Sequence, residues 1–130
     1  MIEGPHFHHI GVACRNIEKE IQAFAILGYD RDSEIITDPL QGIHCCFLKG
    51  PGLRIELLVP TDDTSPLIPW LNRGVKMYHQ AFECESVTAA IAQLESHGAI
   101  VMSPQKHAKA LSDRNIAFVM LPLIELIQLE

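Results

Sequence analysis

The chain is poor in the features that would mark most specialised classes. It has no run of lysine or arginine, and its ten basic residues against sixteen acidic ones leave a net charge of -6. Nothing in that balance can track a phosphate backbone, so nucleic acid is excluded as a partner. No stretch of about 18 apolar residues is present to span a bilayer. The opening MIEGPHFHH has neither a basic segment nor an apolar core of a secretory leader. These absences predict a soluble, cytoplasmic protein with no membrane contact. The four cysteines, Cys14, Cys45, Cys46 and Cys84, include no CxxC pair and no disulfide spacing. They are read as reduced core thiols, with Cys45 and Cys46 on opposite faces of one strand.

With 130 residues, 48% of them hydrophobic, the chain has material for one globular domain of residues 1–130. Its most informative feature is an internal repeat. HIGVACRNIEKEIQAFAILG from His9 lies over HQAFECESVTAAIAQLESHG from His79 at an offset of 70 residues, and His9, Cys14, Ile21 and Gly28 meet His79, Cys84, Ile91 and Gly98. Each half closes on a similar segment, Ile55-Glu56-Leu57-Leu58 and Ile124-Glu125-Leu126-Ile127. Phe47 stands nine residues before Glu56, whereas Phe118 stands seven before Glu125, which predicts a tighter last hairpin at Met120-Leu121-Pro122.

Local patterns give both halves one order of elements. Alternation predicts a strand over residues 8–14, with Ile10, Val12 and Cys14 on one face. Asn16 then caps a helix whose Ile17, Ile21, Phe24 and Leu27 share a stripe and which Gly28 ends. Ser86 to Gly98 repeats that design. Strands are predicted near 33–37, 43–49 and 53–59, and again near 99–103, 115–120 and 123–129. Ser65-Pro66 reads as the start of a short connecting helix. Pro104 to Arg114 reads as a loop; its Lys106, His107, Lys109 and Arg114 are taken as solvated, with an anionic ligand as the alternative.

Side-chain alternation puts His9, Glu56, His79 and Glu125 on the inner faces of their strands, opposite Ile10, Val12, Ile55, Leu57, Ile124 and Leu126. Buried histidines and glutamates are costly unless something satisfies them. The same two residue types at equivalent places in both halves point to one shared divalent ion, of which Zn, Ni, Co, Mn and Fe(II) all suit two imidazoles and two carboxylates. His6, His8, His44, His97 and His107 have no such counterparts.

At these residues the chain resembles the vicinal oxygen chelate superfamily of glyoxalases, bleomycin-resistance proteins and dioxygenases, above all its methylmalonyl-CoA epimerase-like members. HHIGVACRNIEKEIQAFAILGY, IELLVPTDDTSPLIPWL, YHQAFECESVTAAIAQLESHG and the closing IELIQ carry the likeness over nearly the whole chain. The resemblance implies an α+β fold of two tandem βαβββ modules, about 6–62 and 76–130, joined by a helix at about 65–73. Their curled mixed sheet would surround the metal with helices outside. It carries the metal ligands onto His9, Glu56, His79 and Glu125.

The implied activity is that of an epimerase, isomerase or glyoxalase-like lyase on a small carbonyl substrate. Glu125 is the first candidate base and Glu56 the second. A homodimer is a further expectation, for which the residues give no independent marker. A non-catalytic, drug-sequestering protein of the same fold is the alternative function. An extradiol dioxygenase is disfavoured by the extra glutamate. Three departures from the epimerases stand out: Ile43 to Phe47 lacks the carboxylate some of them carry there, Pro104 to Arg114 lacks their glycine-rich run, and Met120-Leu121-Pro122 makes a shorter last hairpin, where a register slip would turn Glu125 away from the metal.

Overall fold

The computed structural model describes every residue except Glu3, Gly4 and Pro122, so the tip of the predicted last hairpin lies outside the described residues. The described residues form nine strands, three α-helices and one 3-10 turn. They divide into two compact units, His9–Tyr78 and His79–Glu130, the latter joined by Met1–His8.

In the first unit, β1 (His6–Ala13, entering it at His9) is followed by α1 (Ile17–Ile26), β2 (Asp30–Arg31), β3 (Ile36–Asp38), β4 (Ile43–Lys49), β5 (Ile55–Pro60) and α2 (Ile68–Asn72). β5 runs parallel to β1 and antiparallel to β4. Both β2 and β3 pair with β4, so together they are one interrupted edge strand and the unit is a βαβββ module. The interruption departs from the single strand expected near 33–37. Its cause is Ser33, whose hydroxyl accepts from Phe47 N at 2.9 Å and so replaces a ladder bond.

The second unit repeats the plan with β6 (Met77–Cys84, within it from His79), α3 (Val87–Glu95), β7 (Ile100–Ala108), β8 (Arg114–Met120) and β9 (Leu123–Gln128). β9 is parallel to β6 and antiparallel to β8, which pairs in turn with β7. Here the structure corrects the sequence reading. Pro104 to Ala108 is not loop but the far half of β7. Register shifts between Val101 and Ser103 and between Ser103 and Lys106 accommodate Pro104, which lacks a ladder donor. Only Lys109–Leu111 and the turn at Ser112 and Asp113 remain outside the strands.

Helices and cores follow the predicted stripes. Asn16 and Ser86 cap α1 and α3 through their side-chain oxygens, which accept from Lys19 N and Ala89 N at 3.1 Å each. Gly28 and Gly98 carry φ of 92° and 93°, the left-handed geometry that ends each helix. α2 begins at Ile68 rather than at Pro66, because Ser65 first holds a separate turn through its hydroxyl on Leu67 N.

Val12, Cys46, Leu48, Ile55 and Leu57 are buried in one cluster against Ile17, Ile21 and Phe24 of α1. Cys84, Ala117, Val119 and Leu126 form the other with Val87 and Ala90 of α3. In each module the helix therefore covers one face of the sheet. All four cysteines are free and buried, and Cys46 lies in the helix-side core while Cys45 faces away from it. Among the described residues no helix is long and apolar enough to cross a membrane.

Candidate metal centre

The uncovered face of each module carries the same small constellation. On β1, His9 stands two residues before Gly11, which is the register partner of Glu56 on β5. Glu56 is also the partner of Phe47 on β4. On β6, His79 stands two residues before Ala81, the partner of Glu125 on β9, and Glu125 is the partner of Phe118 on β8. Parity then brings histidine, glutamate and phenylalanine to one face in both places.

The geometry repeats as closely as the register. His9 Nε2 lies 3.1 Å from Glu56 Oε1, and His79 Nε2 lies 3.0 Å from Glu125 Oε1. The His9 ring meets the Phe47 ring edge-on, with centroids 5.3 Å apart, and His79 meets Phe118 in the same manner at 5.2 Å. All four polar residues are buried, His9 completely and none more than 4% exposed. The phenylalanine walls fix each imidazole and keep water from one side of it, a role that the sequence reading missed. Their signal was present in the paired Phe47 and Phe118, but it was used only to compare hairpin lengths.

The modules differ beside the glutamates. In the first, Cys45 shares the uncovered face with Phe47, and its thiol donates to Glu56. Burial, and then the Glu56 charge, push the Cys45 thiol far above its ordinary range, so it stays protonated. The corresponding residue of the second module, two before its phenylalanine, is Ile116, which is fully buried. Of the remaining histidines, His6, His97 and His107 are exposed, and His44 Nδ1 is 2.8 Å from Thr37 Oγ1 on the edge of the sheet.

A cavity of about 440 Å³ opens beside α1, lined by Ile10, Phe24, Tyr29, Leu53 and Met77. It lies on the helix-covered face of the first module. The parity that turns Ile10 toward it turns His9 away, so it is separate from the His9–Glu56 pair.

Residues 8–118 match the family model described as "Glyoxalase/Bleomycin resistance protein/Dioxygenase superfamily". The chain belongs to this superfamily. A mitochondrial methylmalonyl-CoA epimerase of Mus musculus is 26% identical over 108 residues, which cover 82% of this chain and 56% of that protein. The chain spans about half the length of the mouse and human relatives it matches.

Solved structures share the superfamily fold. A methylmalonyl-CoA epimerase from Mycobacterium tuberculosis has a TM-score of 0.80 at 24% identity, covering 95% of this chain and 87% of that one. A methylmalonyl-CoA epimerase in complex with methylmalonyl-CoA and NH4+ has a TM-score of 0.81 at 23% identity, covering 98% and 95% of the two chains. The βαβββ plan expected from the repeat is thus the fold of this superfamily.

Proposed function

We propose that this chain is a divalent-metal-dependent enzyme that moves a proton beside the carbonyl of a small substrate, as an epimerase, isomerase or glyoxalase-like lyase. One observation carries the reading: two modules of different sequence keep the same buried His–Glu pair against the same phenylalanine. Neither pair serves the apolar core, and burying such groups is costly without a partner. The donor set, imidazole nitrogens and carboxylate oxygens, fits a first-row divalent ion of the Zn, Ni, Co, Mn or Fe(II) kind. His9, Glu56, His79 and Glu125 would hold it together, each offering one ligand atom. When bound, such an ion supplies Lewis-acid polarisation of substrate oxygens.

Glu125 is then the base that takes the proton, with Glu56 in second place. The Cys45 thiol donates to Glu56 and so occupies part of that carboxylate, whereas the residue at the corresponding place in the second module is the apolar Ile116. The relatives named as methylmalonyl-CoA epimerases make a malonyl-type acyl thioester the first substrate to try.

Two measurements test this. Elemental analysis of wild type, His9→Ala and His79→Ala is expected to find one transition metal per chain, lost in both variants. Two ions, each lost singly, would break the shared site. No metal after reconstitution would leave the fold in a binding, non-catalytic role. For the base, deuterium uptake from D2O into methylmalonyl-CoA is expected to slow by roughly 100-fold or more in Glu125→Gln, with the metal retained.

A further inference from the structure

The uncovered face of the second module extends beyond the His79–Glu125 pair, and there it is charged. On β6 the residues of that face are His79, Ala81 and Glu83; on β8 they are Phe118, Ile116 and Arg114. Arg114 Nη1 donates to Glu83 Oε2 at 2.5 Å, and its Nε donates to the Leu111 carbonyl at 3.1 Å. Glu130 Oε1 lies 3.7 Å from the same Nε but is largely exposed. The side chains of Arg114 and Glu83 are only 14% and 23% exposed, so this is a semi-buried, fixed guanidinium. Its Nη2 makes no hydrogen bond among the described residues. Lys106, partner of Ile116 on β7, shares the face.

The fold does not require these charges. Counted from the histidine and phenylalanine of each constellation, Glu83 and Arg114 correspond to Ala13 and Ile43 in the first module. Both of those are apolar and buried. At these two positions the first module closes its sheet with apolar side chains, so the charged pair in the second answers another demand.

Register also sets the distance. Glu83, Ile127 and Ile116 form one row across the strands, and Ala81, Glu125 and Phe118 form the row two residues away. That spacing is about 7 Å along the strands. The guanidinium, bound to Glu83, thus stands a few methylenes from the His79–Glu125 pair.

We propose that Arg114, positioned by Glu83, is a specificity residue that receives a carboxylate at the end of the substrate remote from the reacting carbon. This rests on the metal-site reading above and not on the choice of a malonyl-type thioester, whose carboxylate is bonded to the reacting carbon itself. A single carboxylate suits the fork of the guanidinium. A dianionic phosphate does not, since Glu83 offsets the charge of Arg114 and leaves only the single charge of Lys106 on that face.

The test is calorimetric binding to metal-reconstituted protein of 2-oxoglutarate and of 2-oxopentanoate, which has the same five-carbon chain with a methyl group in place of the terminal carboxylate. Wild type is expected to prefer 2-oxoglutarate by about tenfold or more. Arg114→Met should lose that preference while binding 2-oxopentanoate as wild type does. Arg114→Lys should keep part of it, and carries the same comparison should the methionine variant fail to fold. An unchanged preference in Arg114→Met overturns the proposal. So does metal-loaded wild type that binds both compounds alike or neither, which leaves the metal site standing. Wild type that holds no metal sinks the metal-site reading first and this inference with it.

Discussion

Single side chains on this molecule are governed by which face of a strand they occupy. The cysteines illustrate it with a measurable consequence. Cys14 is held above the ordinary thiol value of 9.0, at about 11, by burial first and the Glu20 carboxylate second. Burial also raises Cys84. Because all four thiols are buried, native protein at pH 8 is expected to leave them unreacted toward Ellman's reagent over minutes, and denatured protein to titrate all four. Linkage fixes the sign of the pH dependence. An unfolded chain releases the Cys14 proton near pH 9 and the folded one nearer pH 11, so stability is full below about 9 and falls between those values. Urea melts at pH 8 and pH 10 would show the lower midpoint at pH 10.

At the scale of elements, the helices depend on their ends and the strands on their turns. Asn16→Ala and Ser86→Ala each remove one capping acceptor, from α1 and α3, and should cost about 1 kcal/mol apiece. Gly50 opens the turn between β4 and β5 directly beneath Tyr29, and a Cβ there would sit 2.6 Å from Tyr29 Cγ. That ring cannot step aside cheaply, since it packs edge-on against Phe24 and donates its hydroxyl to the Leu53 carbonyl at 3.0 Å. Gly50→Ala should therefore destabilise more than either cap mutation, which thermal melts of the three variants would rank.

For the molecule as a whole, the proposed metal site predicts a link between bound ion and stability. An ion held only by the folded protein, at a free concentration 100 times its Kd, stabilises by about 2.7 kcal/mol. Chelator treatment of metal-loaded wild type should lower its melting temperature by several degrees. The same treatment should leave the melting temperature of His79→Ala unmoved.

The sequence by itself determined the module plan, the faces of the strands and the four candidate ligands. Each of these follows from local periodicity and from the repeat, and the repeat shows the same chemistry twice. It could not determine which side chains meet across strands. Phe47 and Phe118 as walls of the imidazoles, Cys45 as a donor to Glu56, and Ser33 as the break in the edge strand all depend on register, which alternation within one strand leaves open. Pro104 to Arg114 was misread for a related reason. Its bulges shift parity between Val101 and Lys106, so no single period runs through it, and only pairing with β8 extends the strand and sets Arg114 against Glu83.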